Sequence, residues 1–306
     1  MTEKERIIKE GRIPAKFFEE EVRCDFLVTE DRKKLWAVLL DMLLKIDNVC
    51  KKHQLTYFLE AGTLLGAIRH GGMIPWDDDI DIFMPRKDYN KFVQLSEEFP
   101  HPYFLQTPYT DPEYFYCPAR LRNSNTTGVV ETFAYQNFNH GIWLSIFPLD
   151  NWETEGGEQR YEYIKDLIKE NSTYMRLTNP HLSEKDKIRV KNYSGRNPLE
   201  VYEEIQQIAQ QFNAKPTEFI AAAVSAVISY RRKIWYAEDF SSAIEWDFEG
   251  FKFPIPVGYD RFLKTMYGDY MQLPPVEERG HHHDGAIFNA DIPYKEFLET
   301  YKKDRQ

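Results

Sequence analysis

Apolar residues recur at Leu35, Val38, Leu39, Met42, Leu43, Ile46 and Val49. This three-to-four spacing marks one face of a helix, and Thr29 is placed to cap its start. Shorter patterns follow. The run "LTYFLE" (Leu55–Glu60) is β-type. The run "GTLLGAIRH" opens with Gly-Thr and reads as a turn entering a short helix. "DIDIFM" alternates acid and apolar residues, the period of a strand, and "DYNKFVQLSEEF" returns to helical spacing. "GIWLSIFPLD" (Gly141–Asp150) reads as a mostly buried strand ending at Pro148. Helix, strand, helix, strand, helix predicts a mixed α+β core.

From about Glu155 to Glu245 helical patterns dominate, broken near Asn179-Pro180, at "YSGRNP" and near Lys215-Pro216. Within them "FIAAAVSAVISY" (Phe219–Tyr230) reads as a buried helix. Arg231, Arg232 and Lys233 read as its basic end, complementing the helix dipole, or as a contact for lipid head groups or a polyanionic acceptor. The expected organisation is one compact unit. It has an irregular arm at 1–28, a core at 29–152, a helical insertion at 153–247 and a C-terminal segment at 248–306 that folds back on the core.

Composition narrows the function. The formal net charge of -10 argues against a protein that grips nucleic acid, which needs a basic face. Three cysteines without zinc spacing fit a reducing compartment. The opening "TEKERIIKEGRIP" lacks the apolar core of a signal peptide, and no run is long enough to cross a bilayer. The expectation is a cytoplasmic protein, able to work at the inner face of a membrane.

The chemistry concentrates at "PWDDDIDIFMPRKDY". Asp77, Asp78, Asp79 and Asp81 crowd together beside Ile80 and Ile82, and such charges repel unless something positive joins them. On a strand Asp79 and Asp81 share a face, which suits a divalent cation with oxygen ligands. Three other readings compete. An EF-hand frame (Asp77, Asp79, Asp81, Asp88) has Ile82 where the loop needs glycine, and Pro85 interrupts it. A solvated acidic loop does not explain the isoleucines. An ion pair with Arg69 or Arg86 would use one acid rather than four. Upstream, Gly62, Gly66 and Thr63 open a helix and could cradle a phosphate.

The stretch "GTLLGAIRHGGMIPWDDDIDIFMPRKDY" resembles the LicD family of the nucleotidyltransferase (polymerase β-like) superfamily. That family includes bacterial phosphocholine transferases and, more distantly, the fukutin-related proteins. The resemblance continues through "RLRNSNTT", "HGIWLSIFPLD" and "FKFPIPVGYDRFLKTMYGDYMQLPP". It implies a nucleotidyltransferase-like fold with a mixed sheet. It also implies transfer of phosphocholine or a related phospho-alcohol from a CDP-activated donor to a hydroxyl of a cell-surface glycan, such as lipopolysaccharide or a teichoic-acid-like acceptor. By the same resemblance Asp79 and Asp81 hold Mg²⁺ or Mn²⁺, and Gly62 and Thr63 hold the diphosphate. Arg69, Arg120 or Arg122 balances phosphate charge, and Asp81 or Asp150 deprotonates the acceptor.

One position departs from the family. An acid is expected two residues before Phe147-Pro148, and the chain has Ser145, which is a poor ligand and a poor base at neutral pH. Either another base serves, or activity is reduced, or the strand is misaligned. Trp76, Trp143, Tyr114, Tyr116 and Phe147 are candidates for a choline cage, though each is more readily explained as core. His283, in "HHHD", is a candidate substrate or metal contact. Two other functions stay open: nucleotide transfer releasing pyrophosphate, and a degenerate nucleotide- or glycan-binding relative.

Overall fold

The computed structural model describes residues 1–225, 230–232, 234–280 and 285–305. The chain begins with α1 (Glu3–Lys9), a hairpin of β1 (Glu21–Arg23) and β2 (Phe26–Val28), and the long α2 (Glu30–His53). Next come β3 (Phe58–Leu59), α3 (Ala61–His70), β4 (Asp81–Pro85) and α4 (Arg86–Phe92). β5 (Tyr103–Gln106), β6 (Ala119–Asn123), β7 (Thr127–Val130) and β8 (Ile142–Trp152) complete the first half. Three helices follow: α5 (Gly157–Tyr174), α6 (Glu184–Lys191) and α7 (Pro198–Ala209). The remainder is β9 (Phe219–Ala221), β10 (Ile234–Tyr236), β11 (Ala243–Phe248), β12 (Phe251–Pro256), α8 (Tyr259–Tyr267), β13 (Ala286–Asn289) and α9 (Tyr294–Lys303).

The centre is a seven-stranded mixed sheet built on β8. One edge of β8 pairs parallel with β4, and β3 pairs antiparallel beyond it. The first half of β8 also pairs with β6, which pairs with β5, and its last three residues pair with β9. The α+β class expected from the sequence is what the chain adopts. α2 starts where Thr29 Oγ1 accepts the Arg32 N–H, with Glu30 and Asp31 in the first turn and Lys51, Lys52 and His53 in the last, matching the helix dipole at both ends. Its apolar face enters the main core with β4 and β8.

Three expectations need correction. The first 28 residues are not irregular. Thr2 and Glu5 form a capping box on α1, Ile7 is fully buried, and Arg6 reaches the buried Asp41 of α2 at 2.6 Å. The segment is short and charged, so its order comes from tertiary ion pairs that no local pattern reveals.

The strand at Ile142 does not stop at Pro148 but runs to Trp152. The Ser145 N–H points toward β4, to the Ile80 carbonyl, so alternation turns the Pro148 nitrogen to the other edge. There it falls between the last β6 pair, at Ile146, and the first β9 pair, at Asp150, and its missing N–H breaks no ladder bond.

The run from Phe219 is not one buried helix. Phe219–Ala221 is a strand on β8, followed by a short 3₁₀ turn at Ala223–Ser225. Short apolar runs carry no period, and the open edge of β8 decides the conformation. Tyr230–Arg232 is likewise a 3₁₀ turn rather than the end of a long helix, and Lys233 lies outside the described residues. The helical part therefore ends at Ala209, and β9 and β10 return to the central sheet.

Candidate active site

The turn from β3 into α3 and the start of β4 are stitched together. The Glu60 N–H donates to the Asp81 carbonyl, and the Asp81 N–H donates to Thr63 Oγ1, both at 3.0 Å. Thr63 is therefore occupied in positioning the acid strand. Gly62 lies in the first turn of α3, where an added Cβ would come 3.1 Å from Asp77 Oδ2. The glycine admits a carboxylate to the positive end of a helix. Gly66 is needed for another reason: a Cβ there would stand 2.5 Å from the Gly72 carbonyl, across the loop that carries the acids.

The acids themselves sit mostly before the strand. Carboxylate oxygens of Asp77, Asp78 and Asp79 lie within 4.8 Å of one another. Asp79 was expected on the strand beside Asp81, but β4 begins at Asp81. The preceding backbone is tied to α2 instead, because the Asp77 carbonyl accepts from Arg32 Nη1 at 2.7 Å and from Trp36 Nε1 at 3.0 Å. Burial, together with the charges of Asp78 and Asp81, pushes the Asp77 carboxyl up to about 6, against hydrogen bonds from Asp79 and the Asp78 backbone. The donor set is all oxygen, compact and mutually repelling, which fits a hard divalent cation. The EF-hand frame does not form, since Asp88 sits on α4 and accepts the Thr56 N–H.

Across the sheet, Asp81 of β4 pairs with Ser145 of β8, and Ser145 pairs with Arg120 of β6. Paired residues share a face, so Asp81, Ser145 and Arg120 form one row. Ser145, where the family resemblance calls for an acid, thus stands beside Asp81. The Arg120 guanidinium lies 4.5 Å over Trp143, 4.9 Å over Tyr116 and 5.8 Å over Tyr114. Among the described residues no hydrogen-bond acceptor meets its Nε. The aromatic residues considered for choline thus form a cation box, but it holds the chain's own arginine. Phe147, the fifth candidate, packs against the main core.

Several expected site residues are employed elsewhere. Asp150 is fully buried and paired with Arg86 through two contacts of 2.7 Å, with Asn213 Nδ2 donating at 2.6 Å. Five residues separate it from Ser145, an odd number, so it lies on the opposite face of β8 and cannot serve as the catalytic base. Arg122 is buried. Its Nε and Nη1 donate to Gln106 Oε1 and the Gly141 carbonyl, and burial with the nearby Arg120 charge brings its pKa down to about 9. It braces the sheet. Arg69 donates to the carbonyls of Tyr270 and Gln272 and to His70 Nε2, tying the tail motif to α3 rather than facing the acids. Trp76 is 3% exposed and covered by Arg279, whose guanidinium is 5.1 Å from its ring. His283 lies outside the described residues.

Two residues missed by the sequence reading join the acids. Arg32 touches the loop from α2, and Asp78 and Asp77 act on its charge. Its spacing from Trp36, one helical turn, was the available signal. Tyr267 ends α8. Its residue surface is 41% exposed, and its hydroxyl is partly shielded from solvent. That burial, with the charges of Glu60, Asp77, Asp79 and Asp81, raises its pKa and keeps it a proton donor.

Comparison with known proteins bears on this segment. Residues 54–180 match the family model described as LicD/FKTN/FKRP, nucleotidyltransferase domain. Lipopolysaccharide cholinephosphotransferase LicD of Haemophilus influenzae is 27% identical over 252 residues, 80% of this chain and 93% of that protein. An uncharacterized protein of Rickettsia typhi is 42% identical over 64 residues, 21% of each chain. Ribitol 5-phosphate transferase FKRP of Homo sapiens is 51% identical over 39 residues, 13% of this chain and 8% of that protein. The LicD resemblance carried by the motifs therefore stands, and residues 54–180 are a LicD-family domain.

Proposed function

From a LicD-family domain over residues 54–180, we propose a transferase that moves a phospho-alcohol from a CDP-activated donor to a hydroxyl of a glycan, on a nucleotidyltransferase-like core. The observation that carries this reading is the trio Asp77, Asp78 and Asp79, set beside a row that ends in Arg120. Asp79 with its neighbours would hold Mg²⁺ or Mn²⁺, which when bound supplies the positive charge a diphosphate needs. Thr63 and Gly62 keep the acids in place. Arg120 offers its guanidinium to a phosphoryl oxygen, and its aromatic support limits its motion. Asp78 or Asp81 takes the proton of the acceptor hydroxyl as that oxygen bonds to phosphorus and the bond to CMP breaks. With the cation box filled by Arg120, the choice among choline, ribitol and related alcohols rests on other contacts. The names of the two relatives, a cholinephosphotransferase and a ribitol 5-phosphate transferase, favour such donors. Peripheral work at a membrane face is part of the same proposal, since among the described residues no helix is long and apolar enough to cross a membrane.

Ser145 supports a second reading, a protein that binds the donor without turnover. Incubation with CDP-choline, CDP-ribitol or CDP-glycerol and Mg²⁺ separates the possibilities. Release of CMP supports the transferase. Nucleotide-dependent thermal stabilisation without CMP release supports the binder. Release of pyrophosphate from a nucleoside triphosphate would support nucleotide transfer instead.

A further inference from the structure

A cavity of about 630 Å³ opens beside the acids. Phe26 and Leu27 of β2, the first turns of α2, and Ala286, Phe288 and Asn289 of β13 line it, together with Asp78. The Asp78 carboxylate belongs to the trio within 4.8 Å, so the cavity adjoins the clustered acids.

The lining suits an uncharged, hydroxyl-rich ligand. Its charged lining holds no excess of cations: Asp31, Asp78 and Asp291 stand with Arg32 and Lys34, and Lys34 pairs with Asp291 at 2.9 Å and with Asp31 at 3.3 Å. No net positive field remains to attract a diphosphate. Two aromatic rings also line it, Phe26, with the Arg32 guanidinium 5.5 Å from its centre, and Phe288, and hydrogen-bonding groups accompany them. Asn289 Oδ1 accepts from the N–H groups of Asp291 and Ile292, leaving its amide NH₂ to donate. Thr29 Oγ1 accepts from Arg32 N–H, leaving its own proton to donate. Flat apolar faces combined with carboxylate, amide and hydroxyl groups match a sugar ring, which has apolar C–H faces and a hydroxyl edge. The cation suited to phosphate lies elsewhere. Phe288 packs on Trp143 at 5.1 Å, and Trp143 in turn carries Arg120.

We propose that this cavity is the acceptor subsite, which seats an uncharged sugar and presents its hydroxyl to Asp78, while the donor phosphates take the Arg120 side of the acids. The proposal rests on the transferase reading and adds the location and chemical class of the acceptor. It also brings the N-terminal hairpin and β13, far apart in sequence, into one binding site.

The test uses the full chain with Mg²⁺ and two kinds of probe: uncharged methyl hexopyranosides followed by ligand-observed NMR, and CMP or CDP-choline followed by thermal shift. Ala286→Trp and Leu27→Trp add bulk to the cavity from two separate elements. Leu27 is 55% exposed, so its replacement decides the matter if the β13 variant does not fold. The expected result is a hexoside signal in the parent chain, its loss in the variants, and an unchanged nucleotide shift. The proposal is overturned if no hexoside contact is seen in the parent chain, or if the contact persists in a folded variant. It is also overturned if the variants lose the nucleotide shift, which would make the cavity the nucleotide pocket and leave the transferase reading standing. Absence of any nucleotide shift in the parent chain strikes the transferase reading instead, and the hexoside arms still judge the cavity.

Discussion

Strand β8 serves two acid–arginine groups on its two faces, and they are built differently. On one face Asp150 and Arg86 are buried together, with two direct contacts, and Asn213 and Gln206 add further hydrogen bonds. The group bolts α7 and the segment after it to the sheet. On the other face Asp81, Ser145 and Arg120 share a row, the carboxylates of Asp77 to Asp79 crowd one another, and Arg120 rests on aromatic rings instead of an acid. The first group sets opposite charges against each other; the second gathers like charges within 4.8 Å of one another. The residue types are the same, so the distinction lies in arrangement: opposite charges in direct contact tie elements together, and like charges held together suit a cation.

The largest expected effect is at the face with the clustered acids. Asp79→Asn should lower CMP release by about a thousandfold or more, as removal of a group that stabilises developing charge does. The melting temperature without metal should hold or rise, because one repelling charge is gone. A variant with near-parental turnover would remove Asp79 from the site.

Asp150 is the converse. Asp150→Ala leaves Arg86 buried without its partner and should cost about 3–5 kcal/mol of stability, read by denaturant titration. Activity per folded molecule should be retained. Replacing Arg86 with Met in the same chain should recover much of the loss. A stable Asp150→Ala protein that is inactive would return Asp150 to catalysis and collapse the contrast between the faces.

A smaller effect is expected at Arg120. Arg120→Met keeps the aromatic packing but removes the charge. It should raise the donor KM by about ten- to a hundredfold, the worth of one charge-assisted hydrogen bond to phosphate. Stability should change little, since no acceptor for its Nε is lost.

How much of this was legible in the sequence follows the same division. Local devices were readable: the Thr29 cap, the helical stripe of α2 and the Gly-Thr turn. Features that depend on distant partners were not. The helix at Glu3–Lys9 needs Asp41, Phe219–Ala221 needs the free edge of β8, and the role of Asp150 is fixed by Arg86, 64 positions earlier. The aromatic cluster was visible, but its occupant was not, because only the pairing of β6 with β8 brings Arg120 over Trp143.

The smallest predicted effect concerns Ser145. It is 5% exposed, its N–H is spent on the Ile80 carbonyl, and its side chain lies between Asp81 and Arg120. If the acids before β4 do the proton transfer, Ser145→Ala should change kcat by no more than about threefold, since a neutral hydroxyl is a weak base and its loss leaves only a small space. Ser145→Asp then becomes the sharper probe. A carboxylate there would sit directly beside Arg120 and pair with it, drawing the guanidinium away from the donor and raising KM. An increase in kcat instead would mean that the row had lost a catalytic acid and kept the framework for one. The face with the clustered acids would then be a partly dismantled site, and its contrast with the Asp150 face would record loss of function rather than readiness for a ligand.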